Sequence, residues 1–292
     1  MKIKNTPEGL VIYKPETYQT IRLTKPESGC LGVRVFPKDT PPEIVHLEIS
    51  DRCNLSCPYC YVKNQHGKEL PLPIWQRIIK DLAESGVFQV TFGGGEPTMR
   101  EDLDTLARYT KELGLTLCMT SNGLKIPEIS KKTLKLFDQI NISWHRQVGF
   151  DKALSHLKKI GVRRGINFCL SKDYVKDIDY ITRVSKEYEA EILLLTYKPV
   201  NNDWKNQVLP EEVYKLALEM NEEKIAVAID GLTCNTCLAS KRFCDVNSKG
   251  DVSICSFIRE PIGSLLTTKF LDIWHNRPRQ VACPYKKGGE NL

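Results

Sequence analysis

Short apolar runs alternate with amphipathic segments along most of the chain after residue 44. Six runs have the length and composition of buried strands, at residues 45–50, 88–92, 115–120, 140–144, 166–170 and 191–197. Between them, apolar positions recur with helical spacing, at residues 72–86, 100–114, 130–137, 150–161 and 179–188. Repeated strand–helix units predict an α/β fold with a parallel sheet or a partial barrel. In such folds the chemistry gathers where the strands end.

The two ends of the chain follow other patterns. Alternating runs at residues 10–15 and 31–37 predict a small antiparallel strand pair. Near the C-terminus, five cysteines and little helical periodicity before residue 270 predict a small metal-stapled domain. The predicted units are an N-terminal extension, a barrel, a linker with one helix and a cysteine-rich domain, at residues 1–44, 45–200, 201–231 and 232–292.

Composition narrows the class of protein. The chain is 41% hydrophobic and 27% charged, which is typical of a globular protein. Its net charge of +6 comes from scattered basic residues, so nucleic acid is not an expected partner. The sequence has neither a membrane-spanning apolar run nor a secretory signal, which predicts a cytoplasmic protein without membrane association. Eleven cysteines in a reducing compartment indicate metal binding or catalysis rather than disulfides.

Three of these cysteines follow the first barrel strand closely. Cys53, Cys57 and Cys60 form a CxxxCxxC spacing. Thiolates select zinc or iron–sulfur clusters, and a structural zinc site needs a fourth ligand. The triplet therefore indicates a metal centre with an incomplete protein ligand set. A zinc loop, or buried thiols without metal, are the alternatives.

With Tyr59 before its last cysteine, this motif resembles the signature of the radical S-adenosylmethionine (SAM) superfamily. The resemblance implies a partial (β/α)6 TIM-like barrel. It also implies that Cys53, Cys57 and Cys60 hold a 4Fe–4S cluster whose open iron binds SAM, with Tyr59 beside the cofactor. A reductant such as flavodoxin or ferredoxin supplies the electron in such enzymes. SAM is then cleaved to a 5′-deoxyadenosyl radical that abstracts a hydrogen atom from the substrate.

A glycine-rich run, residues 93–97, ends the second barrel strand. Glycines permit positive φ and close approach of a ligand to the backbone. The run lacks the GK[ST] of a phosphate loop and the GxGxxG of a dinucleotide site. It resembles the GGEP motif of the same superfamily, which implies that Gly94, Gly95 and Glu96 contact the amino group of SAM. A tight turn without a ligand is the alternative.

Weaker signals follow the later strands. The resemblance implies that polar side chains there bind the ribose and carboxylate of SAM, namely Ser121, Asn122, Ser143, Asn167 and Ser171. Ordinary turn or cap roles explain each of them equally well. Trp144 and His145 depart from the family pattern, and His145 is interpreted as a solvated or core-edge residue rather than a substrate contact. Cys118 and Cys169 are interpreted as core thiols, with hydrogen-atom donation to a substrate radical by a barrel-facing thiol as the alternative. Nothing assigns Cys30.

The C-terminal cysteines resemble the SPASM or shorter twitch extension of this superfamily. They are Cys234, Cys237, Cys244, Cys255 and Cys283. The resemblance implies one auxiliary 4Fe–4S cluster, bound by Cys237, Cys244, Cys255 and one of Cys234 or Cys283. A structural zinc site with four cysteine ligands is the alternative.

The resemblance implies a radical SAM oxidoreductase whose substrate is a ribosomally made peptide, modified by crosslinking or a related reaction. A dehydrogenase or maturase acting on a small metabolite or cofactor precursor is the second hypothesis. A non-enzymatic iron–sulfur or zinc protein is the remote one. Only about 45 residues precede the first barrel strand, so a separate leader-peptide-binding protein is a candidate partner.

Overall fold

The computed structural model describes residues 2–6, 9–14, 19–24, 41–62, 69–231, 237–278 and 282–285. The strands that correspond to the six predicted runs are β4 (Ile44–Ser50), β5 (Gln89–Gly94), β6 (Thr116–Ser121), β7 (Gln139–Ser143), β8 (Arg164–Leu170) and β9 (Glu191–Thr196). The helices are α1 (Leu72–Glu84), α2 (Leu103–Glu112), α3 (Lys131–Leu134), α4 (Phe150–Ile160), α5 (Ile178–Tyr188), α6 (Pro210–Glu222) and α7 (Phe270–His275). No helix among the described residues is long and apolar enough to cross a membrane.

Strands β4 to β9 form a parallel sheet in chain order, which confirms the predicted α/β class. β10 (Val227–Ile229) extends this sheet in parallel beyond β9. On the other side of β4 lie β11 (Phe243–Val246), which is parallel to β4, and then β12 (Asp251–Ser253) and β13 (Gly263–Ser264), which are antiparallel. Since β10 and β13 are the two ends of the strand order, the sheet is open, as in a partial barrel.

The two faces of β4 have different chemistry. Val45, Leu47 and Ile49 are fully buried and belong to the main hydrophobic cluster together with residues of α1. Because side chains alternate along a strand, His46 and Glu48 lie on the opposite face, inside the barrel. The sheet therefore buries one apolar face under the helices and presents a polar face to the barrel interior.

The N-terminal segment forms three strands rather than the predicted pair: β1 (Lys2–Thr6), β2 (Gly9–Lys14) and β3 (Gln19–Thr24). Of the two runs behind that prediction, residues 10–15 largely coincide with β2, and residues 31–37 lie outside the described residues. β1 has one apolar residue, Ile3, and β3 has two, Ile21 and Leu23, which is too few for a clear pattern of apolar alternation. Tyr13 stacks on Phe88 at 5.8 Å between ring centroids, and Arg22 pairs with Glu43 at 2.6 Å. Both contacts lie where β4 and β5 begin, at the end opposite the cysteine triplet.

Candidate active site

The cysteine triplet lies on the loop that leaves the C-terminal end of β4. Cys53, Cys57 and Cys60 are partly exposed, and none of them is in a disulfide. A turn closes between the last two, where the Cys60 N–H donates to the Cys57 carbonyl at 3.1 Å. Burial raises the pKa of Cys57 to about 11, and the neighbouring Cys60 and Cys53 thiols add to the rise. On this open loop, ionisation of one thiol makes ionisation of the others less favourable. An iron–sulfur centre shared by the three cysteines would offset the repulsion between thiolates with its positive charge, so the loop fits such a centre.

The start of this loop is anchored to the barrel. Arg52 donates from Nε to Glu69 at 2.9 Å and from Nη2 to the Met99 carbonyl at 3.1 Å. Ser50 also donates to Glu69. The segment that precedes the three thiols is therefore held in place by contacts with both Glu69 and Met99.

The glycine run packs against the same segment. The Gly95 N–H donates to the Ser50 carbonyl and the Glu96 N–H to the Arg52 carbonyl, both at 2.7 Å. A Cβ atom on Gly94, whose φ is +113°, would overlap the Ser50 carbonyl oxygen, and one on Gly95 would overlap that of Arg52. Backbone-to-backbone contact between the two loops is thus a physical reason for these glycines, independent of any ligand.

The Glu96 carboxylate is a buried junction, with only 1% of the residue exposed. Oε1 accepts from the Thr98 hydroxyl at 2.6 Å, the Thr98 N–H at 3.1 Å and the Ser121 hydroxyl at 2.8 Å. Oε2 accepts from the Asn122 N–H at 2.7 Å. Burial raises the pKa of Glu96, and these hydrogen bonds oppose the rise. Glu96 thereby joins the loop after β5 to the loop after β6.

Asn122 extends this junction to the cysteine loop. Its Nδ2 donates to Asn54 Oδ1 at 2.6 Å and lies 4.0 Å from the Cys53 sulfur. Its Oδ1 accepts from the Leu124 N–H at 3.0 Å. The structure therefore brings Ser121, Asn122, Glu96 and the cysteine loop together.

Tyr59 lies within a group of aromatic side chains at the mouth of the barrel. Its hydroxyl is 2.6 Å from His145 Nδ1, and its ring lies 5.8 Å from that of Tyr174 and 6.2 Å from that of Tyr197. Burial raises the pKa of Tyr59 and lowers that of His145 to about 4. Both groups are neutral near pH 7, so a neutral hydrogen bond links them. His145 is thus a partly buried residue that faces the cysteine loop; of the two interpretations, solvated or core-edge, the structure excludes only the first.

The remaining predicted SAM contacts lie along the same edge but bond to other protein groups. Asn167 accepts from Asn141 Nδ2 at 2.9 Å, and Ser171 accepts from the Tyr174 N–H at 3.3 Å. Ser143, at the end of β7, is partly exposed. Within the part of the chain that the structure describes, no side-chain hydrogen bond joins these three to the cysteine loop. Their roles stay predictions.

Two further thiols, Cys118 and Cys169, have pKa values that burial raises to about 12. Each lies on the barrel-interior side of its strand, because its neighbours Met119 and Phe168 are in the hydrophobic cluster. Cys30 lies outside the described residues.

The C-terminal cysteines divide between two places. Cys283 adds to the raised pKa of Cys237, and Cys237 adds to that of Cys255, so these three thiols lie within electrostatic reach of one another. Cys244 is completely buried in the hydrophobic cluster, where it pairs with Val45 in the β4–β11 register. Cys234 lies outside the described residues.

Lys198 lies close to two of these cysteines, Cys237 and Cys255. Its Nζ is 2.6 Å from Asp230 and 4.7 Å from the centre of the Phe257 ring. Burial lowers its pKa, but Asp230 more than compensates, and the pKa is raised overall. The lysine therefore keeps its positive charge close to Cys255 and Cys237, both of which it influences.

Sequence reasoning missed a buried ionic network that joins β4 to the C-terminal segment. His46 Nδ1 is 2.7 Å from Asp245, and Arg259 forms an ion pair with both oxygens of Glu48. The side-chain nitrogen of His46 and the carboxylate oxygens of Glu48 and Asp245 that could bind a metal ion lie within 4.8 Å of one another. The guanidinium of Arg259 provides the positive charge beside them. Burial and the nearby Asp245 raise the pKa of Glu48 to about 7, against the effect of Arg259. The available signal was the pair of polar residues at alternate positions of an otherwise apolar strand.

Comparison with known proteins agrees with this geometry. The family model of the radical SAM superfamily matches residues 47–165. The Fe-coproporphyrin III synthase of Methanosarcina barkeri is 32% identical over 171 residues, covering 52% of this chain and 43% of that protein. The PqqA peptide cyclase of Rhodopseudomonas palustris is 32% identical over 192 residues, covering 64% of this chain and 46% of that protein. The chain thus spans less than half the length of either relative.

Among solved structures, Streptococcus suis SuiB bound to its precursor peptide SuiA superposes with a TM-score of 0.76. The match covers 95% of this chain and 87% of SuiB at 15% identity, which establishes likeness of fold. The matched domain, the cysteine motif and the partial barrel agree with one another. Residues 47–165 of this chain therefore match the radical SAM superfamily, within a fold that resembles that of SuiB over 95% of the chain.

Proposed function

We propose that this chain is a radical SAM enzyme in which Cys53, Cys57 and Cys60 hold a 4Fe–4S cluster. The observation that carries the proposal is the contact between the cysteine loop and the glycine run at the carboxyl edge of the parallel strands. When bound, such a cluster supplies the electron that cleaves SAM to methionine and a 5′-deoxyadenosyl radical, which takes a hydrogen atom from the substrate.

The chain's own residues prepare the site for that chemistry. Glu96 and Asn122 hold three loops in one arrangement without needing a ligand to do so. We assign Gly94, Gly95 and Glu96 to the methionine end of SAM. The polar residues assigned to its ribose and carboxylate are Ser121, Asn122, Ser143, Asn167 and Ser171. Tyr59, next to Cys60, is assigned to the cofactor pocket.

For the substrate we propose a ribosomally made peptide, modified by crosslinking or a related reaction. The likeness to a PqqA peptide cyclase and to a structure with a bound precursor peptide supports this class. A reductant such as flavodoxin or ferredoxin, and a separate leader-peptide-binding protein, are the proposed partners. The cysteines of the described residues are outside any disulfide, which is consistent with a reducing, cytoplasmic setting.

A small metabolite or cofactor precursor remains the second candidate substrate, because one relative is an Fe-coproporphyrin III synthase. The two classes differ in what the reaction leaves behind. Forming one crosslink removes two hydrogen atoms, so a peptide would lose about 2 Da by mass spectrometry. Incubation with SAM, dithionite and short peptides encoded beside the gene tests this. An unchanged peptide mass, with turnover of a porphyrin precursor, would favour the second class.

We also propose a SPASM- or twitch-type auxiliary 4Fe–4S cluster, held by Cys234, Cys237, Cys255 and Cys283. Cys283 adds to the raised pKa of Cys237, and Cys237 adds to that of Cys255, which supports this set. Cys234 is included because it forms a CxxC pair with Cys237. It replaces Cys244, whose side chain is in the apolar cluster. The boundary of this unit at residue 232 stays a prediction.

A matched pair of variants tests the ligand set. After anaerobic reconstitution we expect about eight irons per chain in the wild type and in Cys244→Ala, and about four in Cys255→Ala. About four irons per chain in Cys244→Ala and about eight in Cys255→Ala would return Cys244 to the ligand set. About four irons with bound zinc in the wild type would make the C-terminal site a zinc site.

A further inference from the structure

A strained turn follows β7 at the mouth of the barrel. Arg146 has a φ of +56°, in the left-handed region that residues other than glycine rarely adopt. Its guanidinium holds both oxygens of Asp177, at 2.6 and 3.0 Å, and lies 4.5 Å from the centre of the Tyr174 ring. The surrounding contacts therefore impose this backbone conformation.

The residues on either side of Arg146 connect to two of the motif loops. His145 Nδ1 is 2.6 Å from the Tyr59 hydroxyl, beside the last cysteine of the triplet. The His145 N–H donates to Gln147 Oε1 at 2.8 Å. Gln147 Nε2 donates to the Asn122 carbonyl at 2.6 Å and to the Ser143 carbonyl at 2.8 Å.

Together these hydrogen bonds form a closed path through the site. The path runs from Tyr59 through His145 and Gln147 to Asn122, and the Asn122 side-chain amide connects back to Asn54 on the cysteine loop. The cysteine loop is thus held at two separate points, Asn54 and Tyr59. A turn that merely connected a strand to the next helix would not require both attachments.

We propose that His145 and Gln147 are positioning residues, which orient Tyr59 and Asn122 for binding of SAM. This inference rests on the proposed function. His145 fixes the direction of the Tyr59 ring, and with it the turn between Cys57 and Cys60. Gln147 fixes the Asn122 backbone, whose side chain lies beside Cys53.

The test compares two substitutions at His145 with a control. His145→Leu removes the hydrogen-bonding nitrogen, whereas His145→Asn keeps a polar atom at the same number of bonds from the backbone. His275→Leu changes an exposed histidine at the end of α7. Each protein is reconstituted anaerobically, its iron is counted, and formation of 5′-deoxyadenosine is followed against SAM concentration with dithionite as reductant.

Loss of one neutral hydrogen bond is worth about a threefold to tenfold change in affinity. We expect His145→Leu to raise the KM for SAM by about that factor at unchanged iron content and nearly unchanged kcat. His145→Asn should restore the KM to within about twofold, and His275→Leu should match the wild type. Tyr59→Phe, which keeps the ring, should give the same rise in KM and add nothing in the His145→Leu background. This variant serves equally if His145→Leu does not fold.

A KM for SAM that is unchanged in His145→Leu and Tyr59→Phe would overturn the inference while leaving the proposed function standing. A rise in KM that His145→Asn fails to reverse would also overturn it, because packing rather than hydrogen bonding would then be responsible. Absence of 5′-deoxyadenosine from the wild type itself would instead refute the proposed function, and this inference with it.

Discussion

Replacing Glu96 with glutamine tests whether its carboxylate joins the motif loops. The substitution keeps the shape of the side chain but turns one oxygen into an NH2 group. With the amide oxygen at the Oε1 position, its three donors, from Thr98 and Ser121, keep their partner. The NH2 group then faces the Asn122 N–H, which loses its acceptor and meets another donor.

The expected cost follows from that exchange. One hydrogen bond to a charged group is worth about 1.5–3 kcal/mol, and an orphaned buried donor costs about 1–3 kcal/mol. The carboxylate's own desolvation, seen in its raised pKa, offsets part of this loss. We therefore expect the free energy of unfolding to fall by about 2 kcal/mol, which lowers Tm by about 4–8 °C for a chain of this size.

Thermal denaturation followed by circular dichroism, on apo-protein under reducing conditions, measures this effect without any ligand. Glu101→Gln, five positions along the chain and exposed, is the matched control and should leave Tm nearly unchanged. A Glu96→Gln protein with wild-type Tm but weakened SAM binding would refute the reasoning. The carboxylate would then act in SAM binding alone and would not hold the loops together.

Two further predictions concern the glycine run and the ionic network of the barrel interior. Gly94→Ala should abolish iron incorporation, because its Cβ would overlap the Ser50 carbonyl oxygen; Gly114→Ala, also at positive φ but with open space around it, should cost only about 1 kcal/mol and retain iron. For Glu48, the pKa is raised to about 7 in the folded state, so the folded state binds more protons and the stability from this group falls as pH rises from about 4.5 to 7. Glu48→Gln should flatten the decline in Tm between pH 5 and pH 8, and an unaltered pH profile would contradict that assignment.

Much of the barrel could be predicted from sequence because local patterns determine it. The apolar face of β4 and the helical spacing of α1 are visible within single segments, and the cysteine and glycine motifs fall where such strands end. The pairing of β11 with β4 could not be predicted in the same way. Its four residues carry no distinctive pattern, and their partner strand is far away in the sequence.

The spacing of cysteines along the sequence also does not show on which face of a strand each of them lies. Cys244 and Asp245 are adjacent on β11, so one enters the apolar cluster and the other enters the ionic network of the barrel interior. The resemblance to a SPASM or twitch extension made Cys244 a candidate ligand, whereas the alternation of side chains along β11 decides its surroundings. The contact between Tyr59 and His145 likewise depends on how two loops fold over the mouth of the barrel.

The most direct test of the central claim is the yield of 5′-deoxyadenosine from SAM and dithionite, in the wild type and in the variant with alanine at Cys53, Cys57 and Cys60. We predict formation of 5′-deoxyadenosine by the reconstituted wild type and none above background by the triple variant, with the C-terminal metal site retained in both. Continued formation of 5′-deoxyadenosine by the triple variant would contradict the assignment of these cysteines. Its absence from a fully reconstituted wild type would contradict the proposed activity.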